Sequence, residues 1–212
     1  ISYDASGNPV AIATGSDGQV LTSTGAGSPP AFEALPVSGG LTYLNSVTAS
    51  DDATIAIESG ISSTYDTYLF TFTDLVPATN TVQMKMEFQV GGSFITSGGT
   101  YRWVRQAGVH DSDTQYQRRS DGSNDDMIEL SYELSNVANE GMSGHMFMHS
   151  PAATKFTKVE FNLSAFTGSN KFRPSHGGGA LMNAGAVTGV QWSMTSGNMA
   201  TGTIRMYGIT NS

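Results

Sequence analysis

The 212-residue sequence contains no cysteine and few charged residues. The absence of cysteine excludes disulfide bonds, thiolate metal sites and cysteine nucleophiles from this chain. Charged residues make up 13% of the sequence, whereas soluble proteins average about 25%. No apolar run approaches the ~20 residues that a membrane-spanning helix needs. The sequence therefore predicts no membrane insertion, and it predicts that durability depends on packing and on association with other chains.

The charge balance is acidic, with 18 Asp and Glu residues against 10 Lys and Arg residues. An acidic chain repels phosphate backbones and anionic lipids, so neither nucleic acid nor a membrane surface is expected as a partner. The sequence has no phosphate-binding loop and no recognisable nucleophile elbow. Nothing pairs a serine with any of the four histidines, which are His110, His145, His149 and His176. These absences predict that the protein is not an enzyme and that it uses no cofactor.

Short runs with two-residue alternation of apolar and polar side chains follow from about Leu41 onward. In one run, the apolar side chains that share a face are Val82, Met84, Met86, Phe88 and Val90. Clusters of turn-forming residues, such as Asp121–Asn124 and Gly177–Gly179, separate the runs. No long window has the apolar stripe of a helix. The pattern predicts an all-β fold, an antiparallel and jelly-roll-like β-sandwich with one face of each sheet on the core.

Residues 1–40 differ from the remainder because their apolar residues occur in short groups among Gly, Ser, Thr and Asp. Such a segment cannot offset the roughly 1–2 kcal/mol per residue that backbone ordering costs. It is either a linker or a stalk ordered by sister chains, and the regular apolar spacing favours the stalk. We therefore expect a stalk and trimerisation segment over 1–40 and a head domain over 41–212. The residues expected to drive oligomerisation are Val10, Ile12, Val20, Leu21 and Phe32.

One segment resembles a known family. Gly15–Phe32 reads Gly-Ser-Asp-Gly-Gln-Val-Leu-Thr-Ser-Thr-Gly-Ala-Gly-Ser-Pro-Pro-Ala-Phe and resembles a stretch common in bacteriophage tail fibres, usually in the stalk where three chains meet. Tyr65–Phe70 with Leu75–Thr79 resembles the first strands of a fibre head, and Gly202–Ile209 resembles its last strand. The resemblance implies a homotrimeric virion appendage, joined to other virion proteins through its N-terminal end. The start at Ile1 rather than Met predicts a fragment or a processed product.

Aromatic side chains and arginines concentrate between residues 101 and 124. Aromatic faces stack on sugar rings, and Arg with Asp and Asn can bind hydroxyls or anionic groups. This composition predicts a receptor-binding set consisting of Tyr101, Trp103, Tyr116, Arg118, Arg119, Asp121 and Asn124. In the alternative interpretation, Tyr101, Trp103 and Arg105 share one face of a strand and that face belongs to the core. The arginines then bridge to acidic neighbours or to other subunits.

A metal site is considered at His145 and His149, which share a strand face with Phe147. Four residues along a strand span roughly 13 Å, too far for both imidazoles of one chain to bind one ion. Three copies of one histidine near a threefold axis could bind an ion. The favoured interpretation is an ordinary strand with Met146 and Met148 inward, and no metal. Likewise, the acidic residues between 111 and 129 are expected to form a solvated turn rather than a calcium site or a carboxylate pair.

Three functions remain open from the sequence. The favoured one is a fibre or fibre tip that attaches a virion to the host surface through a glycan or a protein. The second is a purely structural fibre or connector in the capsid or tail. The third is a polysaccharide depolymerase, against which stand the modest length and the absence of the repeating coils such enzymes commonly use. All three place the protein in a virion appendage.

Overall fold

The computed structural model describes residues 2–4, 6–25, 28–34, 40–108, 117–152 and 154–210, with the backbone alone for 117–124. Contacts between Cα atoms divide the chain into two compact units, Ile1–Gly39 and Gly40–Ser212. We call them the N-terminal unit and the sandwich unit. Throughout the described residues, the regular structure is β-strand and there is no helix. The predicted all-β class is therefore confirmed.

The N-terminal unit consists of two small hairpins within its described residues. Strand β1 (Ser2–Tyr3) pairs with β2 (Pro9–Val10), and β3 (Gln19–Thr22) pairs with β4 (Ala31–Ala34). None of the described residues of this unit is buried. A two-stranded hairpin without a covering layer is marginally stable in water. The predicted stalk therefore stays a prediction.

The sandwich unit forms two antiparallel sheets. Its strands are β5 (Leu41–Thr48), β6 (Thr54–Ile57), β7 (Thr67–Pro77), β8 (Met84–Val90), β9 (Ser93–Phe94), β10 (Tyr101–Ala107), β11 (Gln117–Asp125), β12 (Ile128–Glu129), β13 (Met142–His149), β14 (Lys158–Phe166), β15 (Phe172–Leu181), β16 (Val187–Met194) and β17 (Met199–Ile209). The larger sheet has the order β11-β10-β15-β14-β13-β7-β17-β5. The smaller sheet has the order β12-β8-β16-β6, with β9 paired to β8. The predicted antiparallel sandwich is thus confirmed.

The core lies between the two sheets because the alternating runs turn one face of each strand inward. The indole of Trp192 on β16 packs edge-to-face against Phe70 and Phe72 on β7, with ring centroids 5.5 and 6.1 Å apart. Such pairs join the sheets and add to the burial of apolar area. On β13, Met146 and Met148 are fully buried, as the alternation predicts. The side chain between them, that of Phe147, points to the opposite face of the larger sheet.

Two predicted turns are wrong because they lie in strands. Asp121–Asn124 belongs to β11, and Gly177–Gly179 lies in the middle of β15. The glycines are needed for packing rather than for turning. A Cβ at Gly177 would collide with the carbonyl oxygen of Val104, and one at Gly179 would lie 2.8 Å from Cδ1 of Ile128. Glycine therefore allows neighbouring backbone and side chains to approach this strand closely.

Candidate ligand-binding groove on the larger sheet

Two aromatic residues of the predicted receptor-binding set lie in the core. Tyr101 is fully buried, and Trp103 is 4% exposed. The Tyr101 hydroxyl accepts a hydrogen bond from the Phe88 amide at 2.8 Å and donates one to the Ile95 carbonyl at 3.0 Å. Burial raises the pKa of the Tyr101 phenol well above its ordinary value. A ring enclosed in this way cannot stack on a sugar, so the prediction is wrong for both residues, and the core interpretation of this strand face is confirmed.

The other residues of that set lie on or beside β11. Arg118, Arg119, Asp121 and Asn124 belong to this edge strand of the larger sheet, for which the structure describes the backbone. Tyr116 lies outside the described residues. A receptor-binding role for these five residues stays a prediction.

Arg105 of β10 points into the core and makes a buried ion pair. Its guanidinium is nearly fully buried and lies 3.3 Å from a carboxylate oxygen of Glu129. It also lies 5.1 Å from the ring centre of Tyr132, and the guanidinium of Arg173 lies 4.1 Å from the same centre. The alternative interpretation, that arginines bridge to acidic neighbours, is confirmed for Arg105. Breaking such a buried pair exposes an uncompensated charge to the core, which assigns Arg105 to structure rather than to ligand binding.

The outward face of the larger sheet carries a different set of side chains. Antiparallel register places Phe147 of β13 opposite Glu160 of β14, and His145 opposite Asn162. These four side chains form the corners of a surface cavity of about 300 Å³, which Phe161 and Gly177 also line. We call this cavity the outer-face groove. It brings one phenyl ring, one imidazole, one carboxylate and one carboxamide together on a strand pair.

Phe147 stands between two imidazoles along β13. Its ring centroid lies 5.6 Å from that of His145, in an edge-on arrangement, and 6.3 Å from that of His149, in a nearly parallel arrangement. His149 is itself held by two neighbours. Its Nε2 lies 3.5 Å from a carboxylate oxygen of Glu160, and its Nδ1 lies 3.3 Å from the Thr67 hydroxyl. These contacts orient the rings, so the apolar wall of the groove is preorganised.

The groove continues toward β15 and β10. Gly178 lies opposite Glu160 and contributes no side chain, and Val104 lies opposite Gly178 on β10. In the next register row, the His176 imidazole Nε2 lies 3.2 Å from the side-chain oxygen of Gln106. The surface beside the four corner residues is therefore shallow and bordered by further hydrogen-bonding groups.

Sequence reasoning missed most of this groove. Alternation groups Phe147, His145 and His149 on one face, but the sequence prediction gives no ligand-binding role to Glu160 or Asn162. The signal for these two was present, because the inward residues Val159 and Phe161 leave them on the outward face. What the sequence does not contain is the order of the strands. Only the sheet shows that β14 lies beside β13 and that β15 follows it.

The metal site considered at His145 and His149 would lie on the same strand, β13. The ring of Phe147 lies between the imidazoles of His145 and His149. Among the residues that the structure describes, no group of three or more His, Asp or Glu side chains is placed to hold a metal ion. An ion held by three copies of one of these histidines near a threefold axis stays a hypothesis.

The N-terminal unit has a second cavity, of about 380 Å³, beside the hairpin of β3 and β4. The ring of Phe32 lies against Gly15, where a Cβ would come within 2.5 Å of the ring. Phe32 also pairs across the hairpin with Leu21, and these side chains are 39% and 50% exposed. The glycine at position 15 thus makes room for the aromatic ring, but the hairpin leaves both large apolar side chains in water.

Comparison with known proteins adds no relative. No family model matches the chain, and neither a curated protein nor a solved structure matches it. Within the described residues, no helix is long and apolar enough to cross a membrane. The fold and the groove define an antiparallel β-sandwich protein with a preformed surface groove of mixed aromatic and polar character. Its function has to be argued from these features and from the N-terminal unit.

Proposed function

We propose that this chain is a fibre protein of a bacteriophage virion, which assembles as a homotrimer and attaches the particle to the host cell surface through a glycan. The observation that carries the proposal is the N-terminal unit, in which large apolar side chains remain exposed and no described residue is buried. The resemblance of Gly15–Phe32 to phage fibre stalks supplies the virion context.

The energetics of the N-terminal unit support the proposed self-association. Leu21 and Phe32 are cross-strand neighbours, so together they present one apolar surface on the β3–β4 hairpin. Val10, Ile12 and Val20 are only half-buried. Covering these side chains with identical units from sister chains would supply the apolar burial that one copy lacks. The proposed trimer thereby turns a marginal segment into a stalk.

The sandwich unit supports the attachment part of the proposal. It carries a surface groove with aromatic, imidazole, amide and carboxylate groups, whose small volume and open position suit weak binding of an exposed ligand. Three weak sites on one trimer gain 10²–10⁴ in avidity over a single site, by an order-of-magnitude argument. A groove with about millimolar affinity is therefore sufficient for adsorption. The proposed partners are a host surface glycan or protein and, at the N-terminal end, other virion proteins.

Adsorption tests the proposal directly. Purified full-length chain should bind host cells at micromolar concentration and should reduce virion adsorption in competition. Absence of both effects, with a trimer confirmed by light scattering, would replace attachment by the purely structural fibre or connector. Release of reducing sugar from host capsule would instead favour a depolymerase.

A further inference from the structure

We infer that the outer-face groove is the sugar-binding subsite of this protein and that its ligand is a neutral pyranose. The inference rests on the proposed attachment function and adds the place and the chemical class of the ligand. It moves the site from the buried rings Tyr101 and Trp103 to the opposite face of the same sheet. The groove meets the three requirements of a pyranose, which are an apolar wall, paired hydrogen-bonding groups and a floor without bulky side chains.

The apolar wall is Phe147. A pyranose has one face of C–H groups, which pack favourably against the electron-rich face or the body of an aromatic ring. The contacts of Phe147 with His145 and His149 restrict its ring, and the contacts of His149 with Glu160 and Thr67 restrict the second imidazole. A ring that is already ordered loses little side-chain entropy when a ligand binds.

The polar wall consists of Glu160 and Asn162, which are two residues apart on the outward face of β14. A sugar hydroxyl is both a donor and an acceptor of hydrogen bonds. The Glu160 carboxylate accepts, whereas the Asn162 carboxamide both accepts and donates. Alternate residues on a strand lie roughly 6.6 Å apart, a span that places the two groups at different hydroxyls of one ring.

The floor allows close approach. Phe161 is buried on its inward side, so the groove meets it at the backbone, and Gly177 has no side chain. Gly178 lies beyond Glu160 and keeps the surface low up to Val104. A second sugar unit fits along this strip, within reach of the His176 and Gln106 pair. The groove therefore suits a chain of sugars rather than an isolated monosaccharide.

The charges of the groove select against acidic sugars. The one charged corner is Glu160, whose side chain is 66% exposed, and the whole chain carries a formal net charge of −8. Lys158 and Arg102 lie in the neighbouring register row with His149, and the register places Arg205 in the row of His145, two strands away, and Arg118 in the row of Asn162, three strands away. None of these cations is a corner of the groove, so a carboxylate on the ligand would meet Glu160 first. Repulsion between like charges thus favours a neutral pyranose.

The experiment compares full-length wild type with three variants on an array of immobilised glycans, which carries neutral hexose and N-acetylhexosamine oligosaccharides beside sialylated ones. Phe147→Ala removes the apolar wall, and Glu160→Gln changes the charge without changing the shape. Tyr43→Ala is the matched control, because Tyr43 is an exposed aromatic residue of β5 at the edge of the same sheet, away from the groove. Thermal unfolding checks that each variant is folded.

The expected result is binding of wild type to neutral glycans, a loss of at least tenfold in Phe147→Ala and in Glu160→Gln, and no change in Tyr43→Ala. Because Glu160→Gln keeps the shape of the side chain, it tests the groove even if Phe147→Ala folds poorly. Equal loss in all three variants, or no loss in Glu160→Gln, would overturn the assignment of the groove. Preference for sialylated glycans would overturn the neutral class.

The array and the adsorption assay separate the two proposals. If wild type competes with virions for host cells while Phe147→Ala and Glu160→Gln compete equally well, attachment stands and the groove is not its site. The inference also fails if wild type competes for cells but binds no neutral glycan. If wild type neither competes nor binds the array, attachment and the groove assignment fall together.

Discussion

The N-terminal unit and the sandwich unit differ in where they place their apolar side chains. In the sandwich unit, aromatic and methionine side chains from two sheets enclose one another, and residues such as Trp192 and Phe70 are fully buried. In the N-terminal unit, Tyr3, Leu21 and Phe32 remain exposed, and no described residue is buried. Both units consist of antiparallel strand pairs, so the difference is not one of secondary structure.

The difference shows that the apolar side chains of a strand pair are buried only when a second layer of structure packs against them. Within the described residues of the N-terminal unit, hairpins β1–β2 and β3–β4 have no second layer, whereas the larger sheet of the sandwich unit faces the smaller one. A single copy of the N-terminal unit therefore leaves the apolar side chains of its described residues in contact with water, whereas the sandwich unit encloses its own. This comparison leads to five predictions, which are given from the largest expected effect to the smallest.

Deletion of residues 1–39 should abolish self-association, because the exposed apolar side chains of the N-terminal unit are the proposed contacts. Light scattering at tens of micromolar should then report the mass of a monomer, against about three times the chain mass for the full-length protein. The full-length double variant Leu21→Ser/Phe32→Ser is the control for effects of truncation and should shift the equilibrium in the same direction. A truncated chain that stays trimeric would assign assembly to the sandwich unit.

Trp192→Ala should destabilise the sandwich unit by about 3–5 kcal/mol, because it removes a fully buried indole and leaves a cavity beside Phe70 and Phe72. Denaturant unfolding followed by circular dichroism measures the change. The matched control is Phe156→Ala, which removes a residue that is 42% exposed and should cost far less. Similar losses in the two variants would contradict the contrast between enclosed and exposed rings.

Tyr101→Phe should cost about 1–3 kcal/mol at neutral pH, because the buried Phe88 amide loses the hydroxyl that accepts its hydrogen bond at 2.8 Å. The ring and its stacking on Phe88 remain in the variant. Denaturant unfolding at pH 7 gives the value. A neutral or stabilising effect would show that the amide finds another partner.

The same variant gives the pH dependence of Tyr101. Burial raises the pKa of this phenol above the value of about 10 that it has in the unfolded chain. At high pH the folded state therefore keeps a proton that the unfolded chain has lost. The contribution of Tyr101 to stability is therefore complete below about pH 10 and falls as the pH rises further. The stability difference between wild type and Tyr101→Phe should narrow above about pH 10, where the unfolded phenol is ionised, by about 1.4 kcal/mol per pH unit.

Glu160→Gln should change the free energy of unfolding by less than about 0.5 kcal/mol, because Glu160 is mostly exposed and its contact with His149 lies at the surface. The measurement is denaturant unfolding at pH 7. A loss above about 1 kcal/mol would mean that the outward face contributes to stability, and Glu160 would then no longer be a clean probe of ligand binding.

Much of the sandwich could be predicted from residue alternation, but parts that depend on neighbouring strands could not. The inward positions of Met146 and Met148 follow from a period of two, and so does the outward position of Phe147. The glycine run at 177–179 was predicted to be a turn because glycine is common in turns. It lies in β15 because Val104, Phe161 and Ile128 approach too closely to leave room for a Cβ.

The receptor-binding prediction failed where it relied on composition. Tyr101 and Trp103 have rings suited to a sugar, but β10 is covered by the smaller sheet, and the same alternation that makes it a strand turns both rings inward. Phe147 lies between Glu160 of β14 and Leu69 of β7 because β13 pairs with both of these strands. Composition therefore indicated the chemistry of a candidate site but not its location.

The sequence by itself determined the all-β class, the strand alternation and the inward and outward faces, because these depend on side chains within one strand. It also determined that residues 1–39 have too few apolar side chains to enclose a core alone. The tertiary structure decided which strands lie side by side, and hence that Phe147, His145, Glu160 and Asn162 meet in one groove. Strand order depends on contacts between residues far apart in the chain, and no local pattern encodes which outward side chains will become neighbours.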